Sequence, residues 1–269
     1  MTDVSEPGIS LPGRLGVSAR LEGGTLVLDL TPTAGTIHHG IVRASVLAFV
    51  IDVVAGIPLD QEREMWTLTT DMTVRMRPVP APELISAMGT ILRQGRRSAT
   101  SQVDLVTDQG MPIASGAIGF ARVPRRPGEP PKPTVPVGKT PQLFSNPPTL
   151  AGMLRQEAGI EVIDAEAGIV QVEVTPQLRN PAGTLQGAMV ALVAESAAED
   201  LMAARFGEAF VVTDLDLRYL RRTEAGPVVT RSRLLGTGPE ASVEIELVDT
   251  STDQITTLVY AAGVSVPAG

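Results

Sequence analysis

This sequence predicts an α+β fold built twice within one chain. Three observations carry that prediction. Two long stretches of small and apolar residues, Ile41 to Ala55 and Gly187 to Phe206, each follow a glycine-bearing turn and read as core helices. Each is followed by alternating segments of strand length, set apart by Gly, Pro and Asp. The flanks also repeat: Val27–Pro32 (VLDLTP) resembles Gln171–Pro176 (QVEVTP), Thr70–Arg75 (TDMTVR) resembles Thr213–Arg218 (TDLDLR), and Val123-Pro124 returns as Val266-Pro267. Two long copies make a duplicated domain rather than a solenoid. One helix with about five strands per copy is a two-layer α+β unit.

In chain order, Met1 to Pro12 is polar and acidic, without the basic and apolar blocks of a signal peptide. Leu21 to Leu30 predicts a hairpin about Gly23-Gly24, and His38-His39-Gly40 a loop into the first helix. That helix is too short for a membrane span and carries Arg43 and Asp52. Trp66–Met76, Glu83–Leu92, Ser98–Val106 and Met111–Val123 predict the first sheet. Strict alternation in Trp66–Met76 sets Trp66, Leu68 and Thr70 on one face, and Thr67, Thr69 and Asp71 on the other. Residues 125–148, with Pro127, Pro130, Pro131, Pro133, Pro136, Pro141, Pro147 and Pro148, predict an extended, semi-rigid linker over the surface; Arg125-Arg126 reads there as a solvated tether. The division is thus 1–124, linker 125–148, and 149–269. The second copy predicts a short helix at Leu150–Glu157, a hairpin from Ile160–Ile163 and Gly168–Thr175, the Asn180–Phe206 element, and strands at Phe210–Leu220, Val228–Leu235, Ser242–Asp249 and Ile255–Val264.

Composition narrows the function. A net charge of −8 argues against a general nucleic-acid binder. Zero cysteines exclude disulfides and thiolate metal sites and fit a cytoplasmic protein, and two adjacent histidines make a poor metal centre. The core must be aliphatic, because aromatics are only 3% of residues.

The chemistry-bearing stretch is Asn180 to Glu195. Asn180, Pro181 and Gly183 form a turn, and Gly187 stands where a helix exposes free N–H groups able to hold a carbonyl oxygen. Glu195 is an acid inside an apolar helix, costly unless paired or used. It lies eight residues beyond Gly187, about 12 Å along the axis. Amide and acid of one helix therefore cannot share one carbonyl carbon, whereas two antiparallel helices could bring one of each together. Matching His39-Gly40 to Gln186-Gly187 sets Ala48 opposite Glu195, and Asp52 opposite Glu199. One expected site joins Gly40 and His39 to Glu195. The other joins Asn180, Gln186 and Gly187 to Ala48, with Asp52 a helical turn further on. A burial-held interface acid is the structural alternative for Glu195, ordinary turn chemistry for Asn180, a capping or loop role for His39, and a solvated acid for Asp52.

Each half resembles a hotdog-fold acyl-CoA thioesterase of the phenylacetate-pathway type, and the whole chain resembles a tandem double-hotdog thioesterase. The residues that carry the likeness are Asn180, Gln186-Gly187 and Glu195 at their spacing, together with the duplication. The resemblance implies a long helix wrapped by a curved antiparallel sheet, with the two copies paired within the chain. It implies a glycine amide (Gly187 or Gly40) polarising a thioester carbonyl and an acid from the other copy as base or nucleophile. It implies no metal or cofactor beyond the CoA of an acyl-CoA substrate, and assembly into a homo-oligomer. It also suggests that Arg93, Arg96 and Arg97, an isolated basic turn in an acidic chain, hold CoA phosphates; a solvated hairpin tip is the alternative. The second copy has Gly236–Glu240 there, with no basic residue. A non-catalytic acyl-CoA-binding module is the competing function, and an enoyl-CoA hydratase lacks the Asp and His pair expected near His38-His39.

Overall fold

The computed structural model describes residues 10–125, 132, 134–145, 148–238 and 240–266. Residues 1–9, Arg126, Pro127, Pro130, Pro131, Pro133, Pro147, Pro239 and Pro267 lie outside the described residues.

The first half contains β1 (Val17–Glu22), β2 (Thr25–Leu30), the short β3 (Ile37–His38) and β4 (Ile41–Val42), α1 (Ala44–Leu59), β5 (Met65–Met76), β6 (Ile85–Gln94), β7 (Ser98–Thr107) and β8 (Pro112–Pro124). After α2 (Thr140–Leu143) and α3 (Leu154–Glu157) come β9 (Glu161–Asp164), β10 (Ile169–Val172), α4 (Gly187–Phe206), β11 (Ala209–Tyr219), β12 (Val228–Leu235), β13 (Ser242–Asp249) and β14 (Gln254–Val266). Twelve strands form one sheet in the order β1-β2-β6-β7-β8-β5-β11-β14-β13-β12-β10-β9. The first six belong to one half and the last six to the other. They join through the antiparallel β5–β11 pair, from Asp71 opposite Arg218 to Arg75 opposite Asp214.

Each long helix packs on the strands of its own half, and the two helices pack on each other. This is the α+β double hotdog. A helix held between a sheet and a second helix has no wet side, which explains the lack of a polar stripe. Every residue of α1 from Ala44 to Ile51 is buried, as is every residue of α4 from Ala188 to Glu199. α4 stops at Gly207, whose left-handed backbone (φ 72) turns its N–H back to Ala203 O at 2.9 Å. α1 carries Pro58 in its last turn and ends at Asp60.

Two expectations are corrected at this level. The first helix begins at Ala44, a turn later than Gly40, because residues 37–42 spend their backbone on the small β3–β4 hairpin. The linker is tied down, not merely laid over the surface. Lys132 is buried and donates to Asp60 Oδ1 (2.5 Å), Met65 O (2.6 Å) and Glu62 O (2.9 Å), holding the segment that follows α1. Further on, Pro141 sits in the first turn of α2, where its missing N–H costs nothing. Arg125 pairs with Glu64 at 3.1 Å.

Candidate active site

Helices α1 and α4 run antiparallel, so the start of each meets the middle of the other. The displacement that carries Asp71 to Asp214 also carries Ala44 to Gly187, Gly40 to Gly183, and Asp52 to Glu195. Gly40 and Gly183 share the same left-handed backbone, φ 78 and φ 81. Matching Gly40 to Gly187 is therefore one helical turn out of register. The acid facing Gln186 and Gly187 is Asp52 itself, and the residue facing Glu195 is Ala44.

The Glu195 end is closed. Glu195 is fully buried, and its Oε1 accepts the Ala44 N–H at 2.8 Å. Its Oε2 accepts the Ser45 hydroxyl and lies 3.6 Å from Arg43 Nη1. The acid thus caps the first turn of α1 and consumes the amide that would have served a substrate. Glu199, one turn along, accepts from Arg43 Nη1 at 2.8 Å, with His38 Nε2 3.4 Å away. Burial pushes Glu199 up to about 8 against the pull of Arg43, with Glu195 adding to the rise. Burial, aided by the Arg43 charge, drops His38 to about 3, so it stays neutral. His39 and Gly40 do not reach Glu195. They form the exposed β3–β4 turn, where Gly40 O accepts from Ala81 N at 2.8 Å.

At the Asp52 end the helix-start amide is not taken by the facing acid. Gln186 caps α4: its Oε1 accepts the N–H groups of Ala188 (2.6 Å) and Met189 (3.3 Å). Those two donors fix the amide orientation, so Gln186 Nε2 points outward and donates to Asp52 Oδ2 at 3.4 Å. Thr69 Oγ1 donates to Asp52 Oδ1 at 2.7 Å. Among the described residues no cation pairs with Asp52. Burial raises its pKa, and the Thr69 bond partly offsets the rise. Gly187 is the one residue from Thr184 to Glu199 that is not buried, and its N–H donates to no group among the described residues. The candidate site thus has a free amide at the start of α4 and, bonded to the preceding Gln186, a carboxylate with no cation among the described residues.

Thr69 reaches Asp52 because of a β-bulge. The β5–β8 register shifts between Thr69 and Asp71, so Thr70 bulges and binds Asp71 Oδ2 at 2.8 Å. Face alternation restarts there, putting Thr69 with Met72 toward α1 and Asp71 away from it, which corrects the strict alternation expected. The second half repeats the bulge at Thr213, and Val212 falls where Thr69 stands.

Asn180 organises the loop before α4. Its Oδ1 accepts from Ala182 N (2.9 Å) and Thr184 N (3.2 Å). Arg93, Arg96 and Arg97 are exposed at the β6–β7 turn, where Arg93 donates to Ser98 Oγ at 3.1 Å. Arg122 ties that turn to the segment after α1 through Gly95 O (3.1 Å) and an ion pair with Glu62. Thr69 was not singled out by the sequence, and Tyr219, whose hydroxyl donates to Gly187 O at 3.1 Å, was not either. Thr70 and Thr213 recur in the repeated TD pairs, but the bulge at each shows only in the strand pairing. Among the described residues no three metal-ligating side chains cluster, and no helix is long and apolar enough to cross a membrane.

No protein-family model and no curated protein matches this chain. Solved structures do match it in fold. A tesB protein of Mycobacterium avium subs paratuberculosis aligns with a TM-score of 0.63 at 13% identity, covering 96% of this chain and 98% of that one. A hot dog fold protein of Alicyclobacillus acidocaldarius gives 0.58 at 11%, covering 93% and 97%. An acyl-ACP thioesterase of Bacteroides thetaiotaomicron gives 0.58 at 9%, covering 88% and 96%. The class that the fold defines is the double hotdog.

Proposed function

We propose that this protein hydrolyses acyl-CoA thioesters at the Asp52 end of the helix pair. The supporting observation is the contrast between the two ends: the Gly187 amide is free beside an unpaired carboxylate, whereas the Ala44 amide is already spent on Glu195. Two of the solved structures that share the fold are named for thioesterase activity or a tes protein, which agrees with the reading.

In this mechanism the thioester oxygen rests on the Gly187 N–H, with the dipole of α4 behind it. Asp52, its pKa raised by burial, takes a proton from a water molecule as that water attacks the carbonyl carbon. Thr69 and Gln186 hold the carboxylate in place. Negative charge gathers on the oxygen at Gly187. When the intermediate collapses, the C–S bond breaks and CoA leaves as a thiolate, which needs little help because thiols ionise near pH 8.5. The products are a carboxylic acid and free CoA. Asp52 takes the part that the resemblance assigned to Glu195, and Glu195 becomes the acid that aligns the halves. Asn180 shapes the loop that presents Gly187.

Thiol release from short, medium and aryl acyl-CoAs, compared for Asp52→Asn and Glu195→Gln, tests the reading. Asp52→Asn should lose about 10²–10⁴-fold in kcat, the usual contribution of a general base. Glu195→Gln should keep most of its activity per folded molecule. Loss confined to Glu195→Gln would return the chemistry to the other end. Binding without turnover by the intact protein would favour the non-catalytic acyl-CoA module.

A further inference from the structure

Tyr219 closes β11 and stands where the first half has Met76. Its hydroxyl donates to Gly187 O at 3.1 Å, and its ring lies over Gly187. A Cβ at position 187 would come within 3.2 Å of the hydroxyl and 3.6 Å of ring carbon Cζ. Gly187 O and Ala188 N belong to one peptide unit, and that N–H donates to Gln186 Oε1 at 2.6 Å. Gln186 Nε2 in turn donates to Asp52 at 3.4 Å. The bonds Tyr219 to Gly187, Ala188 to Gln186, and Gln186 to Asp52 therefore all run in one direction. Aligned donors polarise one another, and each link strengthens the next.

We propose that Tyr219 is a positioning residue for the hydrolytic reaction: it anchors the far end of a hydrogen-bond chain that orients Gln186 and, through it, Asp52. This rests on the reading of Asp52 as the base. The phenol touches neither water nor thioester in this scheme; it acts through the first peptide of α4 and the Gln186 amide. The same contact leaves position 187 tight: a Cβ there would press on the phenol, which would have to give by a few tenths of an ångström. Asp52 is faced by Thr69 from β5, Gln186 from the start of α4 and Tyr219 from β11, with no charged partner among the described residues. Among these groups Asp52 is the acid at the end of the chain, so a change at Tyr219 should reach its titration through Gln186.

The experiment measures thiol release against pH for the wild type, Tyr219→Phe, Gly187→Ala, the Gly187→Ala/Tyr219→Phe double variant and Asp52→Asn, with thermal midpoints recorded in parallel. Tyr219→Phe should lower kcat about five- to tenfold, the worth of one neutral hydrogen bond, with KM within about twofold. It should also move the acidic limb of the kcat profile to higher pH, because Gln186 then stabilises the Asp52 carboxylate less. Gly187→Ala should lose activity through the clash with the hydroxyl, and adding Tyr219→Phe should restore part of it. An unmoved acidic limb in Tyr219→Phe would overturn the proposal, including the case where kcat and the thermal midpoint fall together. If Asp52→Asn keeps full turnover, the reading of the base itself fails and the positioning role falls with it. An inactive Asp52→Asn beside an unmoved limb in Tyr219→Phe sinks the positioning role alone.

Discussion

Two carboxylates one turn apart on α4 face the same arginine yet have different partners. Glu195 takes the Ala44 amide and the Ser45 hydroxyl, whereas Glu199 has Arg43 and a neutral His38, and its Oε1 meets no donor. The folded chain therefore holds the Glu199 proton up to about pH 8, whereas the unfolded chain releases it near 4.5. The stability this group contributes is fully present below pH 4.5 and is lost as pH rises through 8. Glu199→Gln should flatten that decline. Melting midpoints of the wild type should fall between pH 5 and 8.5 more steeply than those of the variant; parallel curves would show that Glu199 titrates normally. Glu195→Ala, by contrast, should cost about 3–5 kcal/mol at neutral pH, because Arg43 would be left buried with one fewer partner.

At the scale of the element, the bulge in β5 decides what Asp52 touches. Its copy in β11 delivers Val212 to the corresponding place, so the chain carries its own control. Thr69→Val copies the second half into the first. The Thr69 bond opposes the effect of burial on Asp52, so its loss should raise the Asp52 pKa further. The acidic limb of thiol release should move up in pH and kcat should fall about tenfold, with the fold intact because valine already occupies the equivalent position. An unchanged pH profile would remove Thr69 from the site. This element also shows what could be read from residues alone. The two long helices, most strand segments of each copy and the start of α4 at Gly187 followed from periodicity and turn chemistry; the order of the strands in the sheet did not. The register between the copies did not, because the glycine of the β3–β4 hairpin resembles a helix-start glycine and differs by one turn. The bulge was hidden for a similar reason: TD is an ordinary strand dipeptide until the pairing shows one residue too many. The sheet supplied both corrections, since the β5–β11 pairing places Asp71 and Asp214 symmetrically about the seam.

For the whole molecule, the question is how the proposed site at Asp52 is served by a duplicated body. α1 runs from the closed end at Ala44, past Asp52, to Leu59, about 10 Å beyond Asp52. Lys132 binds the segment after α1, and Arg122 joins that segment to the Arg93–Arg97 turn. The basic turn therefore lies toward the end of α1 that continues past Asp52, away from Glu195. The second half has no basic residue in its corresponding turn, as expected if only one end takes substrate. In a chain of net charge −8, three exposed guanidiniums are a local attraction for the phosphates of a CoA ester. Replacing Arg93, Arg96 and Arg97 together with Gln should raise KM for acyl-CoA about tenfold at low salt, with kcat little changed, since the turn would bind ground state and transition state alike. The difference from wild type should shrink as salt rises toward 0.5 M, where exposed charges are screened over only a few ångströms. A short acyl-pantetheine substrate, which lacks the nucleotide, should give the same KM with both proteins. Equal KM values for the intact CoA ester at low salt would reduce the turn to a solvated hairpin tip and leave phosphate recognition to another face of the sheet.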